Sequence, residues 1–163
     1  MDRGRSRRSP DLAVLRAHDR MLGLELQELS ADSCITKSPS GGERSGKSPV
    51  DRGRQGLKRS QLTDGYGIPV VTVPAGADTR DHALLPETLD EFAALTRELE
   101  QVPEDPKPSL DADYDYQPVC TDLAGRGITG RISPRGMKTP TQTGGRWVCE
   151  RTNSWWPTGR PGS

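Results

Sequence analysis

Leu12, Leu15, Leu22, Leu26 and Leu29 recur at helical spacing and put one apolar face on a segment from about 10 to 29. Ser9 and Pro10 suit its start, a hydroxyl to cap free N–H groups and a ring whose fixed φ fits the first helical position. Residues 31–36 are short and partly β-branched, which predicts a strand carrying Asp32. Between 37 and 56, Gly, Ser, Pro and basic residues are so dense that a long basic loop without regular structure is expected. Residues 57–63 and 68–73 then read as two strands of a hairpin turned by Asp64-Gly65-Tyr66-Gly67.

Leu85, Leu89, Phe92, Leu95 and Leu99 give a helix over about 82–101, stopped by the PEDPKP run. Further on, 109–111 reads as a short strand, 117–125 as a short helix, 128–132 as a strand bounded by glycines, and 146–156 as a final helix that Pro157 ends. No internal repeat is visible.

Composition thins this picture. Of 163 residues only 31% are hydrophobic, with one Phe, three Tyr and three Trp against 18 Gly and 14 Pro. One domain with a small core and long loops follows. No run approaches the roughly 20 apolar residues of a membrane span, and the apolar stretch after the basic start ends at Arg16, so an exported or membrane-bound protein is not expected. Cys34, Cys120 and Cys149 lack CxxC spacing and histidine partners, which points away from zinc and disulfides and toward a reducing, cytoplasmic setting.

The zero net charge conceals segregation. Residues 1–60 hold 13 Lys/Arg and 8 Asp/Glu, 61–123 hold 3 and 14, and 124–163 hold 7 and 1, giving +5, −11 and +6. Two basic segments around an acidic one can form a positive surface about a carboxylate cluster, as an enzyme acting on DNA phosphates requires; they can equally be solvated faces.

Several chemistries fall away. Gly41 to Ser48 spells the phosphate-loop pattern G-x-x-x-x-G-K-[ST], but Pro49 follows at once and no apolar strand precedes it, so the helix whose N-terminus holds phosphate is not expected. With only His18 and His82, both in or at the start of helices, a nucleophilic triad has little to draw on. Carboxylates are more informative: Asp32 and Asp111 on strands and Glu150 on the last helix could bind hard divalent cations through oxygen, although 23 acids are available by spacing alone.

The words around these acids resolve the choice. DSCITKSPSGGERSGKSPVDRGRQGLKRS (32–60), the Asp64-Gly65-x-Gly67-Ile68-Pro69 turn, LDADYDYQP (110–118) and GGRWVCERTNSWW (144–156) resemble, in order and spacing, the DDE transposases of bacterial insertion sequences, especially forms common in actinomycetes. The resemblance spans about 20–156. It implies a ribonuclease-H-like α/β fold, a mixed sheet flanked by helices on both faces, with a remnant of an upstream region over 1–30, a catalytic domain over 31–156 and an aberrant tail over 157–163.

It further implies Asp32, Asp111 and Glu150 as catalytic and metal-binding carboxylates, with Asp111 selected over Asp113 and Asp115. They would hold two Mg²⁺ or Mn²⁺ ions, and double-stranded DNA would be the partner, both transposon ends and target, in a nucleoid-associated homodimer that pairs two ends. Arg146 matches a family arginine facing DNA; Lys47, Arg52, Lys58, Arg59 and Arg151 are further candidates for phosphate contacts, or solvated loop residues. Two departures set the alternative. Only about 30 residues precede Asp32 where the family carries a helical DNA-binding region, and PTGRPGS replaces the continuation of the last helix. The expectation is a chain truncated at both ends, either a working transposase or an inactive remnant that at most binds DNA.

Overall fold

The computed structural model describes residues 12–133. Their elements are α1 (Leu12–Leu22), β1 (Glu28–Lys37), β2 (Gly46–Lys47), β3 (Gln55–Thr63), β4 (Pro69–Gly76), α2 (Asp81–Leu99), β5 (Lys107–Leu110), a 3₁₀ turn (Ala112–Tyr114), α3 (Gln117–Gly125) and β6 (Arg131–Ile132). All six strands form one sheet: β3 pairs with β1 on one side and with β2 and β4 on the other, all antiparallel, while β1, β5 and β6 run parallel in that order. This is the expected mixed sheet with helices packed on it; among the described residues α2 and α3 share the core on one face, rather than both faces being covered as expected.

Side-chain alternation decides which face is covered. Gly56, Lys58, Ser60 and Leu62 are buried along β3, and across the ladder Ser60 and Leu62 oppose Ser33 and Ala31 of β1 and Val73 and Val71 of β4. Helix α2 lies over this face. Its Leu85, Leu89, Phe92 and Leu95, spaced by three or four residues, are buried and join Leu62, Val71 and Val73 in the core. Each such side chain contributes roughly 1.5–3 kcal/mol through burial. A hydrogen bond of 2.9 Å between Ser60 Oγ and Thr88 Oγ1 ties helix to sheet in the middle of that contact. Helix α3 adds Val119 and Leu123 to the same core. On the opposite face Asp32, Cys34 and Arg59 are exposed, while Leu57, Gln61 and Thr72 are partly buried.

Helix α1 stops earlier than the leucine spacing predicts. Gly23 adopts φ 81°, its N–H returns to the Asp19 carbonyl, and Asp19 Oδ1 takes the Leu24 N–H, so the helix closes at Leu22. Leu26 and Leu29 still enter the core, Leu29 from strand β1 and Leu26 from the segment before it, with a bend at Gln27 between them. The loop over 37–56 is mostly irregular, as expected, but Gly46–Lys47 pairs with Gly56 and Gln55. A Cβ on Gly46 would press on the Asp78 carboxyl and the Gly76 backbone, so a side chain there would have to displace its neighbours. The last strand is also shorter than expected: the turn through Gly127, φ 70°, consumes the start of 128–132. The helix expected over 146–156 lies outside the described residues.

The predicted hairpin turn is held by a buried carboxylate. Asp64 is 2% exposed; its Oδ1 accepts from the N–H groups of Tyr66 and Ile68 at 3.0 and 2.7 Å, and its Oδ2 from that of Glu25 at 3.2 Å. One residue therefore shapes the turn and anchors the chain leading into β1. Asp64→Asn keeps one acceptor oxygen but turns an amide donor toward another N–H, and it is expected to cost about 1–3 kcal/mol in urea denaturation.

Candidate active site: a carboxylate pair on adjacent parallel strands

Parallel pairing of β1 with β5 ends at Ala31 opposite Leu110. Both of these are buried; Asp32 follows on β1 with its side chain on the opposite face, and Asp111 follows just past the end of β5, at the same level of the sheet. Both aspartates are exposed. Asp32 Oδ1 accepts from the N–H of Ser33 at 2.7 Å. Asp111 leaves the strand as the cap of the 3₁₀ turn, its Oδ1 accepting from the N–H of Asp113 at 2.9 Å. Partial burial pushes the Asp111 carboxyl above the ordinary carboxylate value; the charges of Asp113, Asp32 and Asp81 add to this, against the Asp113 N–H that favours ionisation.

This donor set suits a hard divalent cation: charged oxygens, exposed, and crowded by like charge. Among the described residues, no three Asp, Glu, His or Cys side chains come together as a complete metal site. Glu150, expected as the third ligand, lies outside the described residues, as do Arg146 and Arg151.

Behind the pair is a contact that spacing along the chain does not announce. Asp81, the first residue of α2, accepts at Oδ1 from Lys58 Nζ at 2.8 Å and from the Ser33 hydroxyl. Burial alone raises the Asp81 carboxyl, but hydrogen bonds from Lys58 and Ser33, with the Lys58 charge, hold it below the ordinary value. Ser33 is the residue after Asp32, so the start of α2 is clamped to β1 directly beside the candidate site.

Lys58 thereby departs from its expected place among residues that meet DNA phosphates: it is 6% exposed and its ammonium is spent on Asp81. The other candidates stay on the surface. Arg59 lies on the sheet face that bears Asp32 and donates to Thr36 Oγ1 at 3.0 Å; Lys47 is exposed on β2, and Arg52 is exposed in a turn at φ 52°.

A cavity of about 360 Å³ opens beside the clamp, with Lys58, Asp81, Arg80, Asp113 and the rings of His82 and Tyr116, tilted at 37° with centroids 4.9 Å apart, in its walls. The phosphate-loop word forms β2 and a turn, with no helix after Lys47. Cys34 is exposed and Cys120 partly buried, and among the described residues neither is in a disulfide.

Comparison with known proteins places these residues in context. No protein-family model matches the chain. A transposase of insertion sequence element IS402 from Burkholderia cepacia is 32% identical over 118 residues, which make up 71% of this chain and 56% of that relative. The chain thus spans a little over half the length of the curated relative it matches. Among solved structures, the Mos1 transposase paired-end complex with left transposon end overlaps 73% of this chain and 39% of its own at 12% identity, TM-score 0.45. The piggyBac transposase synaptic complex with hairpin DNA overlaps 70% and 24% at 14% identity, TM-score 0.39.

Proposed function

We propose that this chain, a homologue of insertion-sequence transposases, carries the catalytic carboxylates for DNA cleavage and strand transfer at transposon ends. The observation that carries the reading is the placement of Asp32 and Asp111 at one level of two adjacent parallel strands, with Asp111 held above its ordinary pKa partly by neighbouring negative charge. Such crowding favours ligation of a cation of high charge density. In this reading Asp32 and Asp111 hold two Mg²⁺ or Mn²⁺ ions, and Glu150 completes the set. Bound ions of this kind activate water and stabilise a departing 3′ oxygen.

The protein's own part is to fix its carboxylates and to hold the DNA backbone in line. Arg59 is on the same sheet face as Asp32, and with Lys47, Arg52, Arg146 and Arg151 it supplies cations for phosphate contacts, which position DNA without reading sequence. Double-stranded DNA, as transposon end and as target, is the substrate, and two copies of the chain pair two ends in a nucleoid-associated complex. No helix among the described residues is long and apolar enough to cross a membrane.

The test uses the full chain with labelled DNA carrying the ends of its own element. Strand cleavage that appears with Mg²⁺ or Mn²⁺ and disappears with chelator is the expected result. DNA that is bound yet intact under every metal condition refutes catalysis and leaves the DNA-binding remnant.

A further inference from the structure

Tyr114 ends the 3₁₀ turn that Asp111 caps, and it is 1% exposed. Its N–H donates to the Asp111 carbonyl at 3.2 Å, so the two residues are locked together by the turn. The phenol oxygen is fully enclosed and has no hydrogen-bond partner. Buried hydroxyls are almost always paired, and a phenylalanine would fill the same space without the unmet group.

After burial, the influences that hold the phenol in its protonated form are the charges of Asp81, Asp111, Asp32 and Asp113. A neutral O–H donor with no acceptor is thus tied by the turn to Asp111 and feels the charge of the carboxylates at the candidate site. Of these, Asp111 offers an oxygen: its Oδ1 takes the Asp113 N–H, and no bond to its Oδ2 forms among the described residues.

We propose that Tyr114 is a positioning residue for the carboxylate pair, its phenol O–H donating to Asp111, directly or through one water, when a hard divalent cation is held by Asp32 and Asp111. The inference rests on the metal-binding reading above. A ligand carboxylate steadied from behind by a neutral donor loses rotational freedom while keeping its charge for the cation, and removing such a partner typically weakens metal affinity about 10–100-fold.

Calorimetric titration of the full chain with Mn²⁺ tests this on wild type, Tyr114→Phe and Tyr116→Phe, with thermal melting of each. Tyr114→Phe is expected to bind Mn²⁺ about 10–100-fold more weakly and to melt no lower than wild type; Tyr116→Phe is expected to bind as wild type does. Equal affinity in Tyr114→Phe overturns the proposal. A wild-type chain that binds no Mn²⁺ overturns the metal reading itself, so the two failures are told apart by the wild-type titration.

Should Tyr114→Phe fail to fold, the ζ-carbon NMR resonance of Tyr114 decides the matter in wild-type protein, assigned by elimination with Tyr66→Phe and Tyr116→Phe. Added Mg²⁺ is expected to shift it, and an unmoved resonance at saturating Mg²⁺ overturns the proposal.

Discussion

Replacing Asp111 by Asn is expected to raise the melting temperature of the metal-free chain and to abolish the further rise that Mn²⁺ gives the wild type. The first effect follows from the crowding. Asp111 is pushed above the ordinary carboxylate value of 3.8 by partial burial and by Asp113, Asp32 and Asp81, so its ionised form is worse off folded than unfolded. That penalty is complete at neutral pH and is relieved as pH falls through the raised folded value toward 3.8, because there the folded chain binds the proton first. Asn removes the charge, and its side-chain oxygen can still cap the Asp113 N–H.

The second effect follows from linkage. A cation at 100 times its dissociation constant stabilises the wild type by about 2.7 kcal/mol, or about 5–10 °C for a chain of this size. The variant lacks the charged ligand and is expected to show neither this rise nor any metal-dependent cleavage. Scanning calorimetry with and without Mn²⁺ checks both effects. A variant that melts lower than wild type and still responds to Mn²⁺ would place the cation elsewhere.

The clamp behind the site sets the second large effect. Asp81→Ala is expected to cost about 3–5 kcal/mol, because it strands the Lys58 ammonium in the interior without a counter-charge. Lys58→Met is expected to cost less: the Asp81 side chain is 24% exposed against 8% for Lys58, and it keeps the Ser33 hydroxyl. The double variant is then expected to lose less than the sum of the single losses.

The pH dependence has a definite sign. Burial works against Asp81, yet Lys58 and Ser33 bring its folded value below 3.8, so its stabilisation is present above 3.8 and disappears as pH falls through the lowered folded value. Urea denaturation between about pH 7 and pH 3 is expected to show this acid loss in the wild type and a flatter profile in Asp81→Ala. Identical profiles would mean that the pair contributes nothing to stability.

Where the apolar pattern is local, the sequence reads directly into structure. The hairpin of β3 and β4, helix α2 and helix α3 follow from alternation or three-and-four spacing within a dozen or so residues. At α1 the same rule misleads, since Leu26 and Leu29 keep helical spacing after Gly23 and Asp19 have closed the helix. Parallel pairing is invisible to any local window: Ala31 meets Leu110 through a register that only the packed fold sets.

The candidate site divides along the same line. Asp32 and Asp111 are selected by the words around them, but their juxtaposition is a property of the sheet. The clamp joins residues 23 and 48 positions apart on three elements, and nothing in the pattern marks Lys58 as buried, because a lysine in a basic stretch normally reads as surface. Its burial comes from the strand alternation that also places Ser60 and Leu62 under α2.

Strand β4 bears on how two copies of this protein can meet. It pairs only with β3 among the described residues, and two of its eight residues, Pro69 and Pro74, have no N–H to offer. An incoming strand therefore finds an interrupted row of donors along this edge, and sheet-to-sheet addition there is disfavoured. Two copies that meet along β4 are therefore left to side-chain contacts, and this edge does not serve the chain as a template for its own aggregation.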